Sequence, residues 1–430
     1  MKHFNLLTTL AVAMAALASC GNEPTMELRG DGSPGGPVLP ETKDQALIAK
    51  AVKARDFFYS GGSRAAASGA TVGHYVANSS RSETDTVLSV VNFADGQGFV
   101  ILTDKADSPE ILAVSDEGTL DLADIDNPSL KLFVDNAVAN LQGRASGIVE
   151  RPQKPLMYIV EDTYDTLLNI EPMIKVRWGQ EQRPYNSYCP LLPNGKRAAA
   201  GCGPIAVAQV MTHYRYPQSF VWDAEGAAAN VALDWTEINK HVTSGVGAFP
   251  AVCTASNANA THDVIGKLVR QIGKDMKAKY LLDGTETTLD KAQAVLNQYG
   301  YTTTISNVSD KVESTKFDGS SIWIVCATAK TDSVDYPHTF VVDGRMYIKR
   351  HYFGYILDPN VIPPIVKEIV QDDIYYFDYV HINWGWDGTS NGYYYNGSYD
   401  TEYPKSLDNP NDGQMNFNFN TDFCYLKVNH

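Results

Sequence analysis

Positive charge is scarce in this 430-residue sequence, because 35 Lys and Arg residues stand against 50 Asp and Glu residues. The formal net charge is −15, and no basic block or arginine-and-aromatic stripe is present. We therefore expect no nucleic-acid partner. Cysteines are also few, six in all, and none belongs to a CxxC or CxxH pair. This spacing argues against a structural zinc site, and we expect neither a metal nor an organic cofactor.

Long apolar runs are lacking as well. The run at residues 6–18 follows Lys2 and His3 and is too short to span a bilayer, so it predicts a signal peptide over residues 1–19. The small residues before Cys20 resemble a bacterial lipoprotein signal, in which the cysteine is lipidated and anchors the protein to a membrane. The alternative is a cleaved export signal beside a bystander cysteine. Both interpretations predict an exported protein, and lipidation would place it at the outer surface or in the periplasm.

The length predicts two or three domains, each with its own core. Residues 20–42 are rich in Gly, Pro and Asp and predict a flexible tether. Residues 43–143 predict a small α+β unit, which fits a pro-domain, a binding module or a structural domain. Residues 144–171 begin with a polar, proline-containing linker that a protease can cut. In residues 172–430 helices come first and strands later, which predicts an α+β layering with helices packed on an antiparallel sheet.

Periodicity and turn signals predict the main elements of both units. The first unit should contain a helix over 44–58, a hairpin of strands 86–93 and 99–103, and a helix capped by Asn127 that ends at Gly143. The predicted helices of the second unit cover 203–214, 260–272 and 289–299. Its predicted strands cover 321–327, 339–343, 373–382, 392–395 and 416–428.

The most informative local pattern surrounds Cys202, in the stretch AAAGCGPIAVAQVMTHY from Ala198 to Tyr214. Pro204 fits the first turn of a helix, where no N–H is needed, and apolar residues then recur at helical spacing. The pattern therefore predicts a helix that begins at Cys202. A helix N-terminus carries partial positive charge and free N–H groups, which favour a thiolate. Cys202 is thus a candidate nucleophile, and the alternative is a buried cysteine packed as a small hydrophobe.

A nucleophilic cysteine needs a histidine that the fold brings near it. His338 precedes the predicted strand 339–343, so we expect its ring at the mouth of that strand. His213 lies about three helical turns beyond Cys202 on the same helix and is out of reach. Two further histidines remain as rivals that can orient a catalytic group: His262 and His381.

Four cysteines are left once Cys20 and Cys202 are assigned: Cys189, Cys253, Cys326 and Cys424. An exported protein meets an oxidising environment, which permits disulfides among them. Their spacing indicates no disulfide framework. Cys326 lies in the apolar run 322–327, where a buried thiol on a strand is the simpler interpretation.

Six ordered motifs from about residue 175 onward resemble the streptopain family of cysteine peptidases. They are Trp178-Gly179-Gln180, Pro184-Tyr185-Asn186, Cys189-Pro190, Gly201-Cys202 with Ala208-Gln209, His338 to Gly344, and His381 to Gly388. Two earlier runs, Gly98 to Ile101 and Ser115 to Gly118, are similar to the pro-domain of that family. The resemblance implies a secreted zymogen with a small α+β pro-domain before a papain-like catalytic domain.

The same resemblance implies roles for individual residues. Cys202 would be the nucleophile, and His338 the general base and then acid. Gln180 would form the oxyanion hole together with the backbone N–H of Cys202. Three residues match the segment that positions and shields the histidine, although the two tryptophans can equally be packing residues: Asn383, Trp384 and Trp386. The implied partners are protein or peptide substrates, with the pro-domain as an intramolecular inhibitor.

This sequence departs from the family pattern in two places. Pro337 stands before the histidine, where the family more often has glycine, and it restricts how the strand enters the site. Residues 350–373 look like an insertion and contain the turn signal Asp358-Pro359. We expect a loop here, either beside the cleft as a cap over the substrate channel or elsewhere on the surface.

These patterns predict an exported, lipid-anchored zymogen of a cysteine endopeptidase, cleaved between about residues 143 and 172. Its thiolate–imidazolium pair would form a thioester that water resolves. An amidase or a transglutaminase-like acyl transferase uses the same pair with another acceptor. A non-catalytic surface lipoprotein is disfavoured by the joint presence of four residues: Cys202, His338, Gln180 and Asn383.

Overall fold

The structure is a computed structural model, and its described residues form twelve ranges: 43–59, 69–77, 85–103, 110–125, 127–142, 158–240, 259–282, 284–307, 314–330, 335–358, 365–396 and 424–430. The predicted signal peptide, the Cys20 lipidation site, the tether and Cys253 lie outside them. Within these ranges, no helix is both long and apolar enough to cross a membrane.

The N-terminal part, residues 43–142, consists of two helices around four antiparallel strands. Its elements are α1 (Lys43–Phe58), β1 (Thr71–Ala77), β2 (Asp85–Asn92), β3 (Phe99–Leu102), β4 (Ile111–Ser115) and α2 (Pro128–Gln142). Strands β2, β3 and β4 are largely buried because a helix covers each face of this part of the sheet, whereas β1 is partly exposed at its edge. Val91 packs in a core with Phe58 of α1, whereas its neighbour Val90 packs in a core with Phe133 of α2. Asn127 caps α2 as predicted, with its Oδ1 accepting from Leu130 N at 3.1 Å.

The C-terminal part begins with one strand and then a helical layer. The helices are α3 (Cys202–Tyr214), α4 (Trp235–Lys240), α5 (Ala260–Asp275) and α6 (Leu289–Gln298). The strands in this stretch are β5 (Tyr158–Ile170), β6 (Ser219–Trp222), β7 (Ala229–Ala232), β8 (Lys279–Leu281) and β9 (Gly284–Glu286). Helix α3 lies at the centre of the layer, and every residue from Gly203 to Thr212 is buried.

Six further strands complete one large sheet: β10 (Thr302–Asn307), β11 (Ile322–Lys330), β12 (Asp335–Asp358), β13 (Ile365–Asn383), β14 (Gly392–Tyr395) and β15 (Cys424–Asn429). The strand order is β1-β2-β3-β4-β14-β13-β12-β11-β15-β10, with β5 paired to β12. One face carries Ile324 and Leu426 in a core with the helical layer, and the opposite face carries Val325 in a core with α2. The predicted α+β class, with the cysteine helix packed on an antiparallel sheet, is therefore confirmed.

The N-terminal and C-terminal parts share both their sheet and a core. Strand β4 pairs with β14, where Gly392 lies opposite Ser115. Phe133 of α2 contacts Tyr394 edge to face, with ring centroids 4.9 Å apart. The N-terminal part thus extends the C-terminal sheet at β14, the strand that directly follows residues 384–391.

The expectation of a loop at residues 350–373 was wrong. Strand β12 continues to Asp358 and β13 begins at Ile365, so that most of the segment is a long antiparallel hairpin. Strand β5 pairs along the other side of β12 and makes the hairpin a three-stranded arm. Sequence reasoning missed the arm because its polar and apolar residues do not follow a clean two-residue alternation, and two irregularities in register interrupt the pairing. The turn signal Asp358-Pro359 coincides with the end of β12, and residues 359–364 lie outside the described residues.

Candidate active site

Cys202 is the first residue of α3, as predicted. Gly201 precedes it with φ = 93° and ψ = 145°, a conformation that favours glycine. A Cβ at Gly201 would also lie 2.9 Å from the side chain of Thr285, so the approach of the β9 hairpin requires the absence of a side chain here. The half-buried thiol is therefore held at the positive end of a helix.

His338 lies at the start of β12 and contacts the Cys202 thiol. Its side chain is 6% exposed, and Nε2 donates to the backbone oxygen of Trp384 at 3.2 Å. A carbonyl oxygen can only accept, so Nε2 carries the proton and Nδ1 remains to face the sulfur. The structure thus brings the two predicted reactive groups together in a chain that still carries its N-terminal part.

The environment of Cys202 favours its thiolate. Burial raises the pKa of the thiol, but the charge of His338 and hydrogen bonds from His338 and Thr339 outweigh that effect and lower the pKa from 9.0 to about 7. About half of the thiol is then ionised at neutral pH, against about one part in a hundred for an ordinary thiol. Thr339 was not singled out in the sequence, and only its position directly after His338 could have indicated it.

The loop from Trp384 to Asn391 positions the carbonyl that holds His338. Trp384 N donates to Asn391 Oδ1 at 2.9 Å, and its indole N–H donates to Ser390 O at 3.0 Å. Asn383 does not bond to the histidine itself: its side chain accepts from Gly385 N at 3.1 Å and donates to Val176 O at 3.0 Å. Asn383 therefore fixes the turn at which the Trp384 carbonyl is presented.

The two tryptophans predicted in this segment differ in their surroundings. Trp384 is fully buried and packs against Phe340, with ring centroids 4.9 Å apart. Trp386 is half-buried, and its ring centroid lies 6.4 Å from that of His338. Trp384 thus supports the loop from the core, and Trp386 lies beside the histidine.

Gln180 lies between this loop and the residues that lead into Cys202. Its backbone oxygen accepts from Ala200 N at 2.7 Å, and its side-chain Nε2 donates to Gly385 O at 3.5 Å. The second bond is long, so the amide is only loosely held and can turn toward a ligand. The Gln180 side-chain amide is therefore placed to donate a hydrogen bond to a negative charge that forms near Cys202.

The rival histidines have other partners. His381 donates from Nδ1 to the fully buried Asp343 at 2.7 Å. Asp343 occupies an irregularity in the β12–β13 register and also accepts from Ile174 N at 2.8 Å. This pair therefore anchors the segment that leads to Trp178 and Gln180. His262 forms a capping box with Asn259 at the start of α5.

Asp387 is a second titratable group beside the site that sequence reasoning missed. Burial, and then the charge of Glu181, raise the pKa of its carboxyl to about 6, although a hydrogen bond from Gln182 opposes the shift. Its Oδ1 is buried and has no hydrogen-bond partner among the described residues. The carboxyl abuts Gly179, where any Cβ would overlap it. An ionised Asp387 is therefore held in an unfavourable position next to Gln180.

Replacing Asp387 by asparagine should stabilise the protein at pH 7. The folded-state pKa lies above the ordinary 3.8, so ionising the folded protein costs stability as pH rises through the window from about 4 to about 6. Removing the charge should raise the free energy of unfolding at pH 7 by about 2 kcal/mol. Urea denaturation at pH 7 and pH 4 measures this, and the difference between variant and wild type should fade at the lower pH.

The control for this experiment is Asp318→Asn. Asp318 is exposed, and a hydrogen bond from the Ser320 side chain lowers the pKa of its carboxyl. Its replacement should therefore give no gain at pH 7. A gain that persists unchanged at pH 4 in Asp387→Asn would show that the charge of Asp387 is not the cause.

Within the described ranges, no group of three or more His, Cys, Asp or Glu side chains is arranged to hold a metal ion. The four cysteines in these ranges are free thiols. The groups that the site itself presents are the Cys202 thiol, the His338 imidazole and the Gln180 amide.

Comparison with known proteins gives a consistent set of similarities. A model of the Peptidase C10 family matches residues 178–394, about half of the chain. The chain is 29% identical to the thiol protease/hemagglutinin PrtT of Porphyromonas gingivalis over 146 residues, which are 31% of this chain but only 16% of that protein. It is 21% identical to streptopain of Streptococcus pyogenes over 345 residues, which cover 71% of this chain and 73% of streptopain.

Two solved structures from Prevotella intermedia are similar to the chain. A prointerpain A fragment is 19% identical with a TM-score of 0.45, over 82% of this chain and 98% of the fragment. The active wild-type interpain A cysteine protease is 20% identical with a TM-score of 0.36, over 61% of this chain and 95% of that structure.

Proposed function

Since the chain belongs to the Peptidase C10 family, we propose that it is an exported cysteine endopeptidase made as a zymogen. The observation that carries the proposal is the contact between the Cys202 thiol at the start of α3 and His338, whose Nε2 is held by the Trp384 carbonyl. Export and lipid attachment are supported by the apolar run at residues 6–18 and by Cys20.

The proposed reaction follows from these positions. The Cys202 thiolate attacks the carbonyl carbon of a peptide bond, and the resulting oxyanion accepts from the Gln180 side chain and the Cys202 backbone N–H. The protonated His338 gives its proton to the leaving amine, so a thioester remains on Cys202. Water then attacks the thioester as His338 takes a proton from it, which releases the acid and restores the Cys202 thiolate beside a protonated His338.

Latency is supported by contacts from the N-terminal part, the proposed pro-domain, to the loop that carries Trp384. Ser115 Oγ donates to Asn391 O at 2.7 Å, and Ser390 N donates to Glu117 O at 3.2 Å. Arg177 forms ion pairs with Asp116, at 3.2 Å, and with Glu117. The pro-domain would thus hold the loop beside His338 until it is removed.

The proposed activating cleavage lies ahead of Tyr158. The predicted region ran from about residue 143 to 172, but β5 pairs with β12 from Tyr158 through Ile170. Because a protease binds an unpaired, extended segment, a paired strand is a poor substrate. Cleavage within residues 143–157 would leave β5 attached to the catalytic domain.

Probe labelling before and after limited proteolysis tests the proposal. A small probe, iodoacetamide, should label Cys202 in both forms because the pair is already assembled. A peptide epoxide should label it after cleavage only, and Cys202→Ala should abolish labelling of that position by both probes. N-terminal sequencing of the active fragment should find its first residue between 144 and 158.

Cys189→Ala is the matched control, since burial raises the pKa of the Cys189 thiol to about 12 and its labelling should be negligible. Casein and small amides as substrates separate an endopeptidase from an amidase. Full hydrolytic rate from an uncut chain would refute latency, and failure of wild type to label at Cys202 would refute the nucleophile.

A further inference from the structure

Two more thiols lie in a row across the sheet beneath Cys202. Cys326 of β11 is the direct partner of Thr339 on β12 and of Cys424 on β15. Direct partners in antiparallel strands point to the same face, with Cα atoms about 4.5–5.5 Å apart. That separation falls within the range of about 4.4–6.8 Å that a disulfide requires. Cys326 and Cys424 are both free, half-buried thiols, so they form a dithiol that a small movement can close.

Thr339 connects this dithiol to Cys202. The Thr339 side chain lies close enough to both the Cys202 and the Cys326 thiols to lower the pKa of each. Both Cys326 and Cys424 pack against the core formed by the helical layer, where α3 lies. The row Thr339, Cys326, Cys424 therefore faces the helical layer that contains α3, with the Thr339 hydroxyl close to both the Cys202 and the Cys326 sulfurs.

The three thiols differ in reactivity. Burial, and then the charge of the Cys202 thiolate, raise the pKa of Cys326 to about 11. Cys202, with a pKa of about 7, is thus the thiol that an oxidant attacks first. Oxidation removes the negative charge of Cys202 and so removes one of the three causes that raise the pKa of Cys326, the others being burial and the charge of Cys424. Cys326 is therefore easier to ionise after Cys202 has been oxidised than before.

We propose that Cys326 and Cys424 are a repair dithiol, which returns Cys202 to its reduced state after attack by a hydroperoxide. The inference rests on the proposed function only in taking Cys202 as the reactive thiolate. It assigns a role to two half-buried nucleophilic groups that peptide hydrolysis does not use.

Each step of the repair balances. The Cys202 thiolate attacks a peroxide oxygen, which breaks the O–O bond and gives a Cys202 sulfenic acid and hydroxide or alkoxide. Cys326 attacks the sulfenic sulfur, so an S–S bond forms and the hydroxyl leaves as water. Cys424 then attacks the Cys326 sulfur and expels Cys202 as its thiolate. The peroxide is reduced, and the two electrons come from the dithiol, which ends as a Cys326–Cys424 disulfide.

The test uses the full chain, reduced with dithiothreitol, desalted and treated with hydrogen peroxide. In wild type, one equivalent should produce the Cys326–Cys424 disulfide, seen by peptide mapping as a loss of two hydrogens, while Cys202 still reacts with iodoacetamide. In Cys424→Ser the reaction should stop at a Cys202–Cys326 disulfide, which blocks alkylation until dithiothreitol is added. In Cys326→Ser, two or more equivalents of peroxide should advance Cys202 to sulfinic acid, because each oxidation step consumes one peroxide, and alkylation should then fall by about tenfold or more without recovery.

Cys189→Ser is the matched control, because Cys189 is buried among Arg197, Arg270 and Tyr280 and belongs to no part of the row. It should behave as wild type. The proposal is overturned if Cys424→Ser yields no Cys202–Cys326 disulfide, or if Cys326→Ser recovers with dithiothreitol as fully as wild type. Peptide mapping and alkylation do not depend on peptide hydrolysis. If the expected disulfides form but the chain cleaves no substrate, the proposed peptidase activity is refuted and the proposed repair dithiol is not.

Discussion

Replacing His338 by alanine is expected to move the midpoint for alkylation of Cys202 from about pH 7 to pH 9 or above. The shift follows because His338 supplies the charge and a hydrogen bond that offset the effect of burial, so without them burial raises the pKa of the thiol beyond its ordinary 9.0. At pH 7 the alkylation rate should fall by about 50-fold with the loss of thiolate. Iodoacetamide rates measured from pH 5 to pH 10 give the midpoint directly.

Peptide hydrolysis should fall further than alkylation in His338→Ala, by about a thousandfold or more, since proton transfer to the leaving amine is also lost. In wild type, the rate of hydrolysis should rise with pH through about 7, because the reactive form is the deprotonated thiol. His213→Ala is the control: His213 lies on the same helix, but its ring bonds to Met173 O at 3.0 Å. An unchanged alkylation midpoint in His338→Ala would refute the pairing of the two groups.

Replacing Gly392 by alanine is expected to release the pro-domain prematurely. A Cβ at Gly392 would overlap the backbone oxygen of Val114 in the paired strand β4, and backbone atoms cannot rotate away. Forced overpacking of this kind costs about 1–3 kcal/mol. If docking holds the chain latent, that cost should raise the activity of the uncut chain by about tenfold, measured with a peptide substrate in a chain blocked for processing.

Gly73→Ala is the matched control, because this glycine lies on β1 of the same pro-domain and its Cβ would meet nothing within 4 Å. It should leave latency unchanged. After the pro-domain has been removed, Gly392→Ala should also have the activity of wild type, since Val114 is no longer present. A folded Gly392→Ala chain with normal latency would contradict the proposal that docking at β14 controls activity.

Helix and hairpin predictions succeeded where the signals were local. The two helices of the N-terminal part, the hairpin at Asp95–Gly98 and the helix that begins at Cys202 all appear at the predicted places. In each case the decisive residues lie within one or two turns of the element, so caps, glycines and apolar spacing are sufficient. Predictions were poorest for β1, β4, β5 and the arm. Partners distant in the sequence stabilise these strands, as when β5 pairs with residues about 190 positions later.

The candidate site also contains residues that the sequence predicted and residues whose roles only the structure shows. Cys202 and His338 were singled out from the sequence, and the structure places them in contact. The resemblance assigned the positioning of the histidine to the segment of Asn383, Trp384 and Trp386, and in the structure the group that holds the ring is the main-chain oxygen of Trp384. No side-chain pattern signals a backbone acceptor, because every residue has one. Asp387 and Thr339 were missed for a related reason, since burial decides their properties.

The sequence by itself determined a helix headed by a thiol, an α+β composition and an order of motifs that resembles one family, since these depend on neighbouring residues. Only the tertiary structure decided which group holds His338, which residues lie beneath Cys202 and how the N-terminal part joins the sheet. Those outcomes depend on strand register, and register is set by the joint packing of segments far apart in the chain. The row of Thr339, Cys326 and Cys424 exists for that reason alone: three strands place it there, and no stretch of the sequence contains it.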